Sequence, residues 1–358
     1  MTQREAVLAT LQHKPVEFIP GYILFSTPQA EKILLPDIQT DPPQDRPIRV
    51  AKALGNCMIN VNGHLRFRVV EEGENYKIQE YENGTRRIVT LHPEWFYETP
   101  WRPLDTTEDL DELHLPDVTS PERWIEQQRD TRRFMEEGFF VRGTLNGFYS
   151  AVWYYCRKYE QFAMDLAEGS DFVQALIDRW GRFVLESGRQ LLECGVDGIY
   201  WTDDLGSNAG PLISPAMYVK YFFPWHKRAA DLAHEYGKIA IMHSHGNINK
   251  LLPHIVETGI DVLDPVGPSD NMDLESLKAQ YGDRISLMGG ISRFIGELSM
   301  EELKAHLEEV YRVGCPGGGF IPMEEGGVPQ NMPYENFVRY VQLRRELSGK
   351  YASIINEQ

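Results

Sequence analysis

The segment GKIAIMHSHGNI, residues 237–248, ends an apolar run with two histidines one residue apart. Side chains alternate between the faces of a strand, so His243 and His245 share a face and their imidazoles converge. Neutral imidazole is a common ligand for zinc and similar metals. A catalytic zinc needs a third protein ligand and an open position. Glu324 or Glu325, in the MEEGG that ends a late apolar run, could supply that ligand. The alternative is that the histidines are hydrogen-bonded structural residues and the glutamates solvated acids before a Gly-Gly turn. Asp203 and Asp204, in WTDDLGSN, are candidates for acid–base work or could cap a following helix. By the same alternation, one member of each acid pair at most faces inward where the strand persists. Asp264, in DVLDPVG, is a candidate substrate contact. Aromatics also gather at these run ends: Phe148, Tyr149 and Trp153 at the end of the third apolar run, and Tyr200 and Trp201 just ahead of Asp203. Of these, Phe148, Tyr149 and Trp201 are candidates to hold a substrate ring, with the core or the rim as the alternative.

These residues need a scaffold that brings strand ends together. Short apolar runs recur at 18–25, 56–63, 139–149, 197–206, 238–246, 261–267, 285–291 and 318–327. Most are separated by amphipathic, helix-like segments such as 171–195 and 299–314. The alternation predicts an α/β fold, a (β/α)8 TIM barrel in a single decorated domain over 1–358, with its chemistry at the C-terminal strand ends. Residues 66–100 break the rhythm with polar–apolar alternation and an ENGT turn, which predicts an inserted antiparallel hairpin. The Gly-Gly-Gly at 317–319 precedes a strand instead of opening a helix, so it is turn geometry and not a phosphate cradle.

Composition removes several functions. The chain has 358 residues, 42% hydrophobic and 11% aromatic, enough for a large core. With 36 basic and 53 acidic side chains its formal charge is −17, and no segment concentrates Lys and Arg, so no nucleic-acid partner is expected. No run of about 18 apolar residues exists to span a membrane. The amino-terminal stretch, with Thr2 as a helix cap, has no apolar core of signal-peptide kind. Cys57, Cys156, Cys194 and Cys315 form no CxxC pair, which fits reduced thiols in a cytoplasm.

Four segments carry a family resemblance: TQREAVLATLQHKPVEFIP, HSHGNINKLLPHIVETGIDVLDPV, DLESLKAQYGDRISLMGGI and GGGFIPMEEGGVPQNMPYENF. Together they resemble the uroporphyrinogen decarboxylase superfamily, which implies a (β/α)8 barrel. The true decarboxylases carry an arginine-rich MRQAGR-like segment near the N-terminus that grips substrate carboxylates. Here the corresponding stretch, YILFSTPQAEK at 22–32, has no arginine. The other branch of the superfamily holds the corrinoid-linked methyltransferases, whose thiol-accepting members resemble a His-x-Cys…Cys zinc pattern. His243 matches the first position, His245 occupies the second, and the last falls near Gly326, just after Glu324 and Glu325. Thiolates load charge onto zinc, whereas two imidazoles and a carboxylate leave it more electrophilic and able to polarise an ether oxygen.

The resemblance therefore implies the methyltransferase component of a corrinoid-dependent O-demethylase. Such a protein would use zinc as Lewis acid to pass a methyl group from a small-molecule donor, an aromatic methyl ether, to the cobalt of a cobalamin carried by a partner corrinoid protein. Asp203 or Asp204 would serve as the nearby acid. Two other functions are compatible with the chain. One is a metal-free decarboxylase using Asp203 or Asp204, and the other is a non-catalytic barrel that binds a corrinoid or small ligand.

Overall fold

A computed structural model describes residues 1–24, 34–90, 97–329 and 332–356. The chain enters through α1 (Gln3–Leu11), capped by Thr2 and Glu5 in a reciprocal capping box, and α2 (Arg46–Leu54) leads into β1 (Met58–Asn62). A four-stranded antiparallel sheet follows, β2 (Phe67–Glu72), β3 (Tyr76–Tyr81), β4 (Arg86–Thr90) and β5 (Tyr97–Trp101). The remaining strands are β6 (Phe140–Asn146), β7 (Gly198–Thr202), the short pair β8 (Gly206–Ser207) and β9 (Gly210–Pro211), then β10 (Ile239–His243), β11 (Val262–Val266), β12 (Ser286–Ile291) and β13 (Phe320–Glu324). Helices used below are α3 (Ser150–Tyr155), α4 (Asp171–Glu193), α5 (Phe223–Glu235), α6 (Met300–Gly314) and α7 (Tyr334–Asn356).

Seven strands form one curled parallel sheet in the order β1-β6-β7-β10-β11-β12-β13. Helices between consecutive strands supply the crossovers that parallel pairing requires. Eight full strands were expected, and among the described residues of the first, 18–24, no strand is formed. Pro20 has no amide to give a ladder, and pairing is reduced to a bridge between Gly21 and Asn56. The Gly21 carbonyl accepts from Cys57 N at 2.9 Å, and Tyr22 N donates to Pro322 O at 3.2 Å. This two-residue piece thus lies between the outer strands β1 and β13. A Cβ at position 21 would sit 2.3 Å from Arg344 Nη2, so a larger residue here would displace that guanidinium. Phe25, and with it most of the stretch 22–32, lies outside the described residues.

The expected hairpin is the β3–β4 unit of a larger four-stranded sheet. Its ENGT turn is tied to the main body, since Asn83 Nδ2 and Thr85 Oγ1 both donate to the Tyr155 carbonyl, at 2.7 and 2.6 Å. Residues 91–96 of the predicted insertion lie outside the described residues. Among the described residues no helix is long and apolar enough to cross a membrane.

Strand alternation places two cores on either side of the curled sheet. The outer core, between sheet and helices, holds Trp201, Phe148, Tyr149 and Trp180. The inner core holds Val7 of α1 with Met58, Phe140, Tyr200, Ile241, Val262, Met288, Ile321 and Met323. Two residues onward along four of these strands stand Asn60, Arg142, His243 and Asp264. The same inward face therefore turns from apolar to polar one pleat nearer the carboxyl ends.

Candidate functional site

His243 closes β10 and His245 follows it into the loop. Their rings meet edge to face with centroids 4.8 Å apart, so the predicted convergence is present. Backbone contact between neighbouring loops sets this geometry. Gly246, at φ 86°, lies against Gly206, where a Cβ would come within 2.1 Å of the Gly206 carbonyl carbon. That approach brings the Asp204 carboxylate to the histidines. Its Oδ1 accepts from His245 N at 3.2 Å and lies 3.5 Å from His243 Nε2.

Each imidazole is braced from behind. His243 Nδ1 is 2.9 Å from Asp264 Oδ1 and 2.9 Å from the Tyr200 hydroxyl. His245 Nδ1 is 3.2 Å from Asp270 Oδ2. The braces are themselves held. Arg142 Nη1 donates to Asp264 Oδ2 at 3.3 Å, while its Nε donates to Asn60 Oδ1 at 2.9 Å. Arg293 Nη2 donates to Asp270 Oδ1 at 2.8 Å. Burial alone would lower the His243 pKa, but Asp204 and Asp264 outweigh it and raise it to about 9. Burial would raise the Asp204 pKa, but the two histidines hold it at about 2. The cluster is therefore a place where positive charge at His243 is strongly favoured. Its open side is formed by His245 and Asp204, whose side chains are 31% and 35% exposed.

The acid pairs divide as strand alternation requires. Asp204 faces the histidines, while Asp203 points to the other side of β7 and is fully buried. Its oxygens accept from Phe148 N at 2.9 Å, Tyr149 N at 2.7 Å and Ser150 N at 2.9 Å, and lie 2.8 Å from His226 Nε2. The predicted catalytic role of Asp203 is thus replaced by one of anchoring the start of α3. The glutamates are likewise committed elsewhere. Glu324 faces α7, accepting from the Tyr340 hydroxyl, from Arg344 Nη1 at 3.3 Å and from Leu24 N at 3.2 Å. Glu325 accepts from the Ser269 hydroxyl, from Ser269 N at 3.1 Å and from Arg293 N at 3.1 Å. Neither glutamate contacts His243 or His245, which corrects the predicted metal set. Each carboxylate is held by three donors away from the histidines.

The aromatic candidates also change. Phe148 stacks on Trp225 at 6.2 Å, Tyr149 meets Phe222 edge-on at 5.2 Å, and Trp201 packs beside His226, all within the outer core. Tyr200, the neighbour of Trp201, is the residue that faces the histidines. Asp264 is present at the site, but it holds His243 and does not stand free for substrate. Arg142, Asn60, Tyr22, Asp270 and Arg293 were not singled out from sequence. For Arg142 a signal existed, namely a charged residue at an inward position of the otherwise buried run FFVRGTLNG.

Among the described residues no group of three or more His, Cys, Asp or Glu side chains is placed to hold a metal ion. The donor chemistry at the histidine pair nonetheless suits a divalent ion. Metal-bound histidines characteristically give their other ring nitrogen to a carboxylate, as His243 does to Asp264 and His245 to Asp270. Asp204 is the carboxylate beside them.

Fold and site together define an α/β protein with a curled parallel sheet and a charged centre at its carboxyl ends. The uroporphyrinogen decarboxylase (URO-D) family model matches residues 99–347, more than half of the chain, and the chain belongs to that family. A methyltransferase from Methanosarcina mazei superposes with a TM-score of 0.70 at 16% identity, over 97% of this chain and 99% of that one. A B12-independent methionine synthase from Shewanella sp. W3-18-1, solved in complex with selenomethionine, superposes with a TM-score of 0.50 at 11% identity, over 96% and 95% of the two chains. At these identities the likeness is one of fold.

Proposed function

We propose that the chain is the methyltransferase component of a corrinoid-dependent O-demethylase. The observation that carries this reading is the histidine pair, convergent at a strand end, braced by Asp264 and Asp270 and faced by Asp204. The fold likeness to a methyltransferase agrees with it. In the reaction, the oxygen–methyl bond of an aromatic methyl ether would break, the methyl group would pass without the bonding electrons to cob(I)alamin on a partner corrinoid protein, and that electron pair would leave with the aromatic oxygen as a phenolate. His243 and His245, through Nε2, and Asp204 would hold a zinc ion. When bound, that ion would supply Lewis acidity toward the ether oxygen, which would make it a better leaving group.

The rest is the work of this chain. Asp264 and Tyr200 fix the His243 ring so that Nε2 faces the open side, and Arg142 holds Asp264 in place. Asp270, fixed by Arg293, does the same for His245. Asp203 positions none of the reacting atoms and instead secures the loop beside the site. A metal-free decarboxylase employing Asp203 is disfavoured, because that carboxylate has no donor-free oxygen.

The test is metal content and methyl transfer measured side by side. Wild-type protein should carry about one zinc per chain and methylate cob(I)alamin from a methoxylated aromatic. His243→Ala and Asp204→Asn should lose both properties, and Glu324→Gln should keep both. Metal-free wild-type protein, or metal retained in His243→Ala, would overturn the assignment.

A further inference from the structure

Glu325 is fully buried, and its carboxylate joins two loops that leave the neighbouring strands β11 and β12. On the loop after β11 it accepts from the Ser269 hydroxyl and from Ser269 N at 3.1 Å. On the loop after β12 it accepts from Arg293 N at 3.1 Å. Its own amide donates to Ile291 O at 2.9 Å, which fixes its backbone against the end of β12. A Cβ on Gly267 would come within 1.9 Å of Glu325 Oε2, so the bare glycine is what lets the acid sit against the first loop.

Each of these loops carries one half of the brace behind His245. Asp270, next to Ser269, places Oδ2 3.2 Å from His245 Nδ1, and Arg293 Nη2 donates to Asp270 Oδ1 at 2.8 Å. The separation of the two loops, and with it the reach of Arg293 to Asp270, is set at Glu325. Arg293 is partly exposed, and a long side chain there gives up rotamer freedom to hold one geometry. It keeps that geometry because its backbone is fixed from both sides, by Glu325 and, one residue earlier, by the bond from Ser292 N to His306 Nε2 at 3.0 Å. His243 is held differently, by Asp264 and Tyr200, which belong to the strands themselves. One imidazole is thus braced by the sheet and the other by loops that need a clasp.

We propose that Glu325 is a positioning residue for His245, acting through the Arg293–Asp270 pair. Its consequence for zinc rests on the metal-site reading, but the ring itself is observable in metal-free protein. Ring-nitrogen NMR of the full chain, labelled with 15N-histidine and stripped of metal, tests it, with His243→Gln and His245→Gln to assign the signals. In wild type Asp270 should hold the proton of the neutral His245 ring on Nδ1 and leave Nε2 bare. In Glu325→Ala the two nitrogen shifts of His245 should move toward each other, as the ring samples both tautomers, while those of His243 stay in place. Glu325→Gln, which keeps one acceptor oxygen, should lie between, and it carries the test if Glu325→Ala does not fold. In a competitive chelator titration, Glu325→Ala and Arg293→Met should each weaken zinc binding roughly 10–100-fold. Because both act through one pair, the double variant should lose no more than the larger single loss.

Unmoved His245 signals in the folded Glu325 variants, or equal disturbance of both histidines, would overturn the proposal. So would affinity losses that add in the double variant, or zinc binding abolished by Glu325→Ala and only weakened by Arg293→Met, which is the mark of a ligand. Wild-type protein that binds no zinc but shows the selective change at His245 would uphold the positioning role and defeat the metal reading. Zinc held as tightly by the variants as by wild type would do the reverse.

Discussion

Two pairs of adjacent acids end two strands of the same sheet, Asp203–Asp204 after β7 and Glu324–Glu325 at the end of β13, and they have opposite fates. The first pair is split, with Asp203 tied to three backbone amides and His226 while Asp204 looks onto the histidines. The second pair is spent on both sides, one glutamate on α7 and the other on the Ser269 and Arg293 loops. In sequence the pairs are interchangeable. What separates them is the supply of fixed donors: where donors saturate a carboxylate it holds structure, and where only ring nitrogens and one amide reach it, it remains available for chemistry.

The sharpest way to break this comparison is to remove the carboxylates one at a time. Asp203→Ala should lower the free energy of unfolding by about 3–5 kcal/mol, since it strands several buried donors. Asp204→Asn should cost less, about 2 kcal/mol, while abolishing metal binding. Urea denaturation of both variants beside metal analysis checks the pair. A stable Asp203→Ala or an unfolded Asp204→Asn would defeat the distinction.

Acid titration sharpens it next. Burial pushes the His64 pKa down to about 4, so the folded chain resists a proton that the unfolded chain accepts near 6.5. Stability should therefore fall as pH drops from about 6.5 to 4, by roughly 2–3 kcal/mol, and His64→Gln should flatten that window. Burial also lowers the His306 pKa, so part of the decline should survive in His64→Gln. An undiminished decline in that variant would defeat the assignment to His64.

Glu324→Gln should cost about 1–3 kcal/mol, by weakening the buried contact with Arg344, and should leave zinc content untouched. Loss of metal in this variant would restore the glutamate to the site. The smallest effects distinguish neighbours on β7. Tyr200→Phe should cost about 1 kcal/mol in stability but weaken metal affinity roughly 10–100-fold by freeing His243. Trp201→Phe should cost about 1–3 kcal/mol and leave metal affinity alone. Thermal unfolding and a competitive chelator titration measure both.

Much of this was legible in the sequence, and the failures have physical reasons. The histidine pair was readable because the two-residue period of a strand leaves no choice of face. The same rule contains the correction to Trp201. On β7 a tryptophan at 201 and an acid at 204 have opposite parity, so they cannot both look inward, whereas Tyr200 and Asp204 can. Glu324 and Glu325 misled because sequence does not display the donors, Arg344 and Ser269, that come from other segments. The missing first strand follows from Pro20, visible in the sequence yet outweighed there by the apolar residues around it. The parallel scaffold was readable from the apolar runs. The site's bracing was not, because Asp270 and Arg293 come from loops whose approach depends on the closed sheet.

The contact that joins the outer strands has a consequence for how the chain comes into being. Arg344 of α7 donates to the carbonyls of Tyr22 and Pro322, at 3.0 and 2.8 Å, across a separation of 322 residues in the first case. Local helices and neighbouring parallel pairs can form while the chain is still being made, but this clasp joins segments more than three hundred residues apart. Closing so long a loop carries an entropic cost that cannot be met before α7 has been made. During synthesis the seam between β1 and β13 therefore stays unstitched until α7 has left the ribosome. The inward-facing side chains of Arg142 and Asp264 spend that interval beside an open edge, and the polar centre is sealed only once α7 has docked.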